Sequence, residues 1–356
     1  MGNQPWVLSR HERALGVHSD VVVNYSTWLH YPADRCLGQW GDNSWPSRWR
    51  RLRFALMAPW RYDVLHYYFG QSFFAWGNGR RPNRRWFKDL QLARRLGRTV
   101  LMTLQGCDVR LSDRSAARNQ VTMCHRGCCD SVAACRAERD QCRRVLIERI
   151  LPGMDRVFVL NPELAHDVPG AEFLPYACVD VEALPVVPPR TAGPITILHA
   201  PSDPSKKGTR FITAAIERLQ RRYPIEFVQV SGLPHEEALK LYPQADLVID
   251  QILAGWYGGF AVEMMAMGKP VACYIRDEDL KFVPPAMVGQ LPLLRVHPDT
   301  LEEDLERAIA ARGQWPEWGR QSRRFVLDWH HPRRIAQAMI EIYRNPKAPL
   351  LLEPTP

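Results

Sequence analysis

Residues 250–271, DQILAGWYGGFAVEMMAMGKPV, carry the residue types best suited to chemistry in this chain of 356 residues. The pair Gly258-Gly259 opens a run that reads as a helix, and a lone carboxylate, Glu263, follows one turn inside it. Glycines at a helix N-terminus let backbone N–H groups approach an anion closely, and the helix dipole favours negative charge there. A carboxylate just behind such a site suits a neutral polyol, such as a ribose, better than a phosphate. Together they fit the ribose–diphosphate end of a nucleotide. A second stretch, HAPSDPSKKG (199–208), is polar and lysine-bearing and lies between an apolar run and a long amphipathic one. At the carboxyl end of a parallel strand it is well placed for a diphosphate, because charge developing on a leaving group calls for cations and donors aimed at it.

The cysteines suggest a different chemistry. Cys124, Cys128, Cys129, Cys135 and Cys142 fall within 19 positions, with Cys107 upstream. On one unbroken helix Cys124, Cys128, Cys135 and Cys142 would share a face, yet spread over roughly 27 Å, too far for one metal ion. Gly127 offers a break. A folded loop would then gather the four thiolates around a structural zinc or an iron–sulfur cluster, with His125 as an alternate ligand; inert buried thiols are the competing reading.

These groups need a scaffold, and the chain alternates strand-like and helical runs throughout, which favours parallel α/β layers. Helices are predicted over 5–15, 47–58, 89–97, 208–223, 235–243, 301–311 and 333–345. Strands are predicted over 21–26, 63–69, 99–104, 155–160, 171–176, 195–200, 226–232 and 246–251, with a further apolar run from Pro270 to Tyr274. The proline-rich stretch LPVVPPRTAGP (184–194) reads as an interdomain linker. The expected domains are therefore 1–185 and 186–330, with a helix at 331–346 that returns to the first.

Composition narrows the function classes. The length suffices for two domains, and 46% hydrophobic residues support proper cores. No run of about 18 apolar residues reads as a membrane span, and the first residues lack a signal-peptide core, so a cytoplasmic location is expected. The charge of +9 is concentrated: residues 44–98 hold 13 Lys+Arg against two Asp+Glu, with tryptophans interleaved. Such a face suits anionic lipid head groups or an anionic acceptor, so peripheral membrane contact is a candidate. A solvated basic surface is the plainer reading. No nucleic-acid-binding signature accompanies it, and no specific nucleic acid is expected.

The 258–271 segment resembles the donor-sugar motif of GT-B glycosyltransferases of the retaining, family-4-like branch. The resemblance reaches from about residue 5 to 345 and is strongest over 195–275. It implies two doubly wound Rossmann-like domains facing across a cleft. The first would bind a hydroxyl acceptor, anionic or lipid-linked among the options, and the second a nucleotide-diphospho-sugar. Glu263 matches the family's second motif glutamate, which holds the nucleotide ribose; the first would fall at Gly255 and is missing, with Asp250, Gln251 or Trp256-Tyr257 as substitutes. Lys207-Gly208 match the family's Lys-Gly pair, while Ser202 stands where the family has arginine and Lys206 or Arg210 would compensate. TLQGCDVR (103–110) resembles a Thr-x-His-Gly-x-Asp segment of the acceptor domain, with Gln105 in place of histidine. Asp108 is then a candidate base-like or acceptor-orienting group, and equally a turn cap. The family begins with a strand and a glycine loop. Here Met1-Gly2-Asn3 stands directly in that loop, so either the first strand is absent or the start lies upstream; Gly2 and Asn3 are candidate diphosphate contacts.

The function implied is transfer of a sugar to a hydroxyl with retention of configuration. Catalytic roles fall to Asp108, Lys207 and Glu263. Donor contacts fall to Gly2, Asn3, Ser202, Lys206, Lys207, Gly208, Gly258, Gly259 and Glu263. No catalytic divalent metal is expected. The rival readings are a nucleotide-sugar 2-epimerase on the same architecture, a degenerate GT-B domain that binds without turning over, and a basic RNA- or membrane-binding protein.

Overall fold

A computed structural model describes residues 3–42, 44–74 and 86–352. The chain divides into two compact units. One gathers the described residues of 1–115, 133–175 and 333–351; the other gathers 116–132, 176–332 and residue 352.

In the first unit β1 (Val22–Val23) pairs in parallel with β2 (Arg35–Cys36). A four-stranded parallel sheet runs in the order β3 (Val64–Tyr68), β4 (Thr99–Leu104), β5 (Arg156–Val159), β6 (Glu172–Phe173). The run TVLMTL is apolar almost without interruption because β4 is covered on both faces, as parallel strands are. Helices Gln4–Ala14, Trp45–Arg61 and Lys88–Arg95 belong to this unit. The last helix, Pro332–Arg344, reaches it too: the Tyr343 hydroxyl donates to Glu12 (2.7 Å) and lies 3.1 Å from His66 Nδ1. Burial drives the His66 pKa down to about 3 and raises that of Glu12, whose burial outweighs the hydrogen bonds it accepts from Ser19 and Tyr343. A cavity of about 640 Å³ opens beside these groups, between the Gln4–Ala14 helix, β1 and β3.

The second unit holds a five-stranded parallel sheet in the order β11 (Leu294–Arg295), β10 (Val271–Cys273), β9 (Leu247–Ile249), β7 (Ile195–His199), β8 (Ile225–Gln229). The strand order reverses at β7, which lies between β8 and β9. Helix Thr209–Leu219 buries Ile212, Ala215, Ile216 and Leu219, a spacing that places one apolar stripe on the sheet. Helix Gly259–Ala266 is buried from Phe260 to Ala266, and Glu263 is its one charged residue.

Most predicted elements are found with ends shifted by a few residues; the 171–176 strand contracts to Glu172–Phe173, and helix Ser112–Arg118 and strands β2 and β11 are additions. The 21–26 strand contracts to two residues. Helix Trp315–Trp329 is an addition, and it packs against Gly259–Ala266. Residues 132–153 form a helical run of α, π and 3-10 turns. The stretch 184–194 is not a free linker. Arg190 clamps Asp246 through its backbone N–H (2.9 Å) and its guanidinium (2.7 and 3.0 Å). Arg312 in turn donates to the carbonyls of Arg190, Ala192, Gly193 and Pro194. Prolines remove backbone donors, and two arginines provide the ties instead. Among the described residues, no helix is long and apolar enough to cross a membrane.

Candidate functional site

In an open parallel sheet, the strands on either side of a reversal send their following loops to opposite faces, leaving a crevice at their carboxyl ends. Here those strands are β7 and β9. After β7 the chain turns through residues 200–203 into a short helix, Pro204–Lys207, capped by Asp203, which accepts the Lys206 N–H. Gly208 then adopts φ +81° and starts the long helix. A side chain there would be strained, and its Cβ would lie 2.6 Å from Ile252 Cγ1. This turn swings Lys207 across to Asp250, the residue following β9. Lys207 Nζ donates to Asp250 Oδ1 at 2.5 Å. The other oxygen, Oδ2, accepts the Gly258 N–H at 2.6 Å. Asp250 is fully buried and Lys207 nearly so, at 0% and 12% side-chain exposure. One carboxylate thus ties the lysine loop to the glycine pair. The Gly259–Ala266 helix leads away from that junction, with its first ladder bond from Val262 to Gly258 O; the N–H groups of Gly259, Phe260 and Ala261 precede it.

Glu263 lies one turn inside that helix, and His235 Nε2 is 2.6 Å from its Oε1. Burial lowers the His235 pKa, but the hydrogen bond and charge of Glu263, with the charge of Glu236, outweigh it and leave it raised. Cys178 lies 4.0 Å from Gly259 O; burial, then the Glu263 charge, push its thiol well above the ordinary range. His199 closes the back of the site through Ile249 O (2.8 Å) and Thr209 Oγ1 (2.9 Å), and burial takes its pKa down to about 4.

The sequence candidates separate clearly. Lys207, Gly208, Gly258 and Gly259 converge, with Glu263 behind them. The Gly258 N–H, expected to face a diphosphate, points to Asp250 instead. Ser202 is exposed, and Lys206 is paired with Asp203, so the cation expected from Lys206 is held by its own helix cap. The substitutes proposed for the missing glutamate are engaged elsewhere. The Gln251 amide donates to Trp256 O (2.5 Å), and Trp256 and Tyr257 are fully buried, with the Tyr257 hydroxyl 2.8 Å from His330 Nε2. At Gly255 itself, φ is +75° and a Cβ would lie 2.6 Å from the Arg276 guanidinium, which Asp279 holds at 2.7 Å. The arginine fills the space a side chain at 255 would need.

In the first unit Asp108 accepts the N–H of Gln105 (2.9 Å) and of Gly106 (2.5 Å), one on each oxygen. This is the turn-cap geometry. Arg110 is buried against Glu163 (2.9 Å). Asn3 precedes the first helix, and its Oδ1 is buried without a hydrogen-bond partner. Gly2 lies outside the described residues, as do 75–85 of the basic stretch.

The metal reading is corrected. Among the described residues no three His, Cys, Asp or Glu side chains gather to hold an ion. Cys124 and Cys128 belong to the second unit; Cys135 and Cys142 belong to the first. The latter two lie on one helical run seven residues apart, about 10 Å at the α-helical rise. His125 Nε2 is instead 2.9 Å from Asn119 O. Sequence reasoning missed Asp250 as a bridge, together with His235 and Arg276. No local pattern marks them, since each acts through a partner from another element.

No protein-family model matches the chain, and no curated protein matches it. Solved structures do resemble it. Sucrose-phosphate synthase from Thermosynechococcus elongatus is 16% identical, with 95% of this chain and 91% of that chain covered and a TM-score of 0.58. Anabaena HepE in complex with UDP and glucose is 12% identical, with 96% of each chain covered and a TM-score of 0.59. WaaG, a glycosyltransferase involved in lipopolysaccharide biosynthesis, is 12% identical, with 93% and 94% covered and a TM-score of 0.51. At such identities the likeness establishes the fold: a two-domain α/β GT-B architecture.

Proposed function

We propose that the protein is a glycosyltransferase that takes a nucleotide-diphospho-sugar at the strand-order reversal of its second unit and passes the sugar to a hydroxyl acceptor with retention of configuration. The observation that carries this reading is the Lys207–Asp250–Gly258 junction at the ends of β7 and β9, with Glu263 one helical turn behind it. The GT-B fold, and the UDP and glucose seen with HepE, favour the same class.

In this reading the diphosphate lies at the start of the Gly259–Ala266 helix, where the N–H groups of Gly259 and Phe260 are directed along the helix axis. Lys207 supplies the cation, and Asp250 aims it. Glu263 accepts the ribose hydroxyls through the oxygen that His235 does not engage. The anomeric carbon–phosphate oxygen bond breaks as the acceptor oxygen bonds to that carbon on the same face. The acceptor proton passes to the departing phosphate oxygen, so no enzyme nucleophile is needed. Lys207 and the helix N-terminus then stabilise charge that grows only as the bond breaks.

The test is a binding and turnover panel of UDP-, GDP- and ADP-sugars with wild type, Glu263→Ala and Lys207→Ala. Each variant is expected to weaken binding or turnover at least about tenfold, or ~1.4 kcal/mol. NMR of the product should show the donor's anomeric configuration. If no nucleoside diphosphate binds, or both variants behave as wild type, the site assignment is wrong. Tight binding without transfer to any hydroxyl acceptor would leave a binding protein in place of an enzyme.

A further inference from the structure

Helix Trp45–Arg61 of the first unit carries an apolar stripe on its outer side. Trp45, Trp49, Leu56 and Trp60 are 75%, 52%, 49% and 71% exposed. At 100° per residue these four fall within roughly 60° of one another, along about 22 Å of helix. Arg53 borders the stripe on one side, with Met57 and Arg50 beyond it, and Arg48 borders it on the other; all four are exposed. The opposite side does the packing: Ser47, Arg51, Phe54 and Ala58 are buried. The outward indoles are therefore not left over from the core face of an amphipathic helix.

We propose that this face docks onto the surface of an anionic lipid bilayer. Tryptophan favours the boundary between head groups and acyl chains, where its ring is apolar and its N–H stays wet. Arginine can lay its stem along that boundary while its guanidinium reaches phosphate. Charge complementarity points the same way: Arg48, Arg50 and Arg53 are exposed beside the stripe, and the Trp45–Arg61 helix contains no acidic residue. The aliphatic Leu56 and Met57 favour lipid over nucleic acid. A bilayer rewards burial of such side chains, whereas a nucleic-acid backbone would engage only the arginines. The inference does not depend on the nucleotide site.

Co-sedimentation with vesicles tests it, using the whole protein with phosphatidylcholine alone and with phosphatidylcholine containing 30% phosphatidylglycerol. Wild type should bind the anionic vesicles, with tryptophan emission moving to the blue. The triple variant Trp45→Ser, Trp49→Ser, Trp60→Ser should bind at least tenfold more weakly. Arg48→Glu with Arg53→Glu should lose the preference for phosphatidylglycerol. All five positions are exposed, and an unchanged melting temperature shows that the variants remain folded. No binding to anionic vesicles overturns the proposal, as does binding that ignores the triple variant. Tryptophan-dependent binding to a single-stranded oligonucleotide, with none to vesicles, would assign the face to nucleic acid instead.

Discussion

Removing the Asp250 carboxylate should damage both the second unit and its proposed donor site. Asp250 is fully buried and accepts two short hydrogen bonds, 2.5 Å from Lys207 Nζ and 2.6 Å from the Gly258 N–H. Charge-assisted bonds of this kind contribute about 1.5–3 kcal/mol each, and breaking a buried ion pair by deleting one partner costs about 3–5 kcal/mol. Asp250→Ala leaves Lys207 at 12% exposure with its charge uncompensated, so a loss of about 3–5 kcal/mol is expected. For a unit of this size that lowers the melting temperature by roughly 6–20 °C. Lys207→Met strands the buried carboxylate and should cost a similar amount. The double variant Asp250→Ala, Lys207→Met buries no lone charge, so its loss should fall short of the sum of the singles by at least ~2 kcal/mol. Calorimetry of the four proteins gives the coupling, and UDP titration of the same set gives the binding side. Asp250→Ala should weaken UDP at least tenfold even at temperatures where it is folded, because the lysine is no longer aimed. An additive cycle, or an Asp250→Ala protein within ~0.5 kcal/mol of wild type, would refute the claim that this carboxylate organises the site.

Two further expectations follow from the same geometry. Gly255→Glu, which places a glutamate where the resembled motif has its first, should destabilise rather than improve the protein. The position has φ +75° and its Cβ would press on Arg276, so a loss of at least ~2 kcal/mol in chemical denaturation is expected; a stable variant with enhanced turnover would show that Arg276 yields. Acid should weaken the second unit early. His199 and His330 are held neutral by burial, each pushed down to about 4. A depressed histidine pKa means the unfolded chain takes up protons first, so stability is intact above about pH 6.5 and falls as pH drops toward 4. Two such groups account for roughly 3 kcal/mol by pH 5.5, readable from urea midpoints; His330→Gln should flatten that slope, and an unchanged slope would count against it.

Much of the architecture was legible in one dimension. Runs such as TVLMTL and ITILH are strands because apolar residues at nearly every position suit a sheet covered on both faces. The helix over 209–219 announces itself by Ile212, Ala215, Ile216 and Leu219 at helical spacing. Gly208 and Gly258-Gly259 mark the turns that bring the chain into and out of the site, and Glu263 stands out as the lone charge of a buried helix. Local pattern also misled: among the described residues, cysteines sharing a helical face on paper do not gather to hold an ion, and the chain between Cys128 and Cys135 passes from one unit to the other.

The amino-acid order therefore determined which segments become strands and helices, and which loops carry a lysine, a glycine pair and an acid, because periodicity and backbone freedom act over a few residues. Only the tertiary structure decided what those groups do to one another. Lys207 meets Asp250 across 43 positions and Glu263 meets His235 across 28, and Arg276 occupies the place beside Gly255 where a side chain was expected. Such meetings depend on strand order and on which loops emerge at the reversal between β7 and β9, and that order is set by packing of the whole unit rather than by any neighbouring residues.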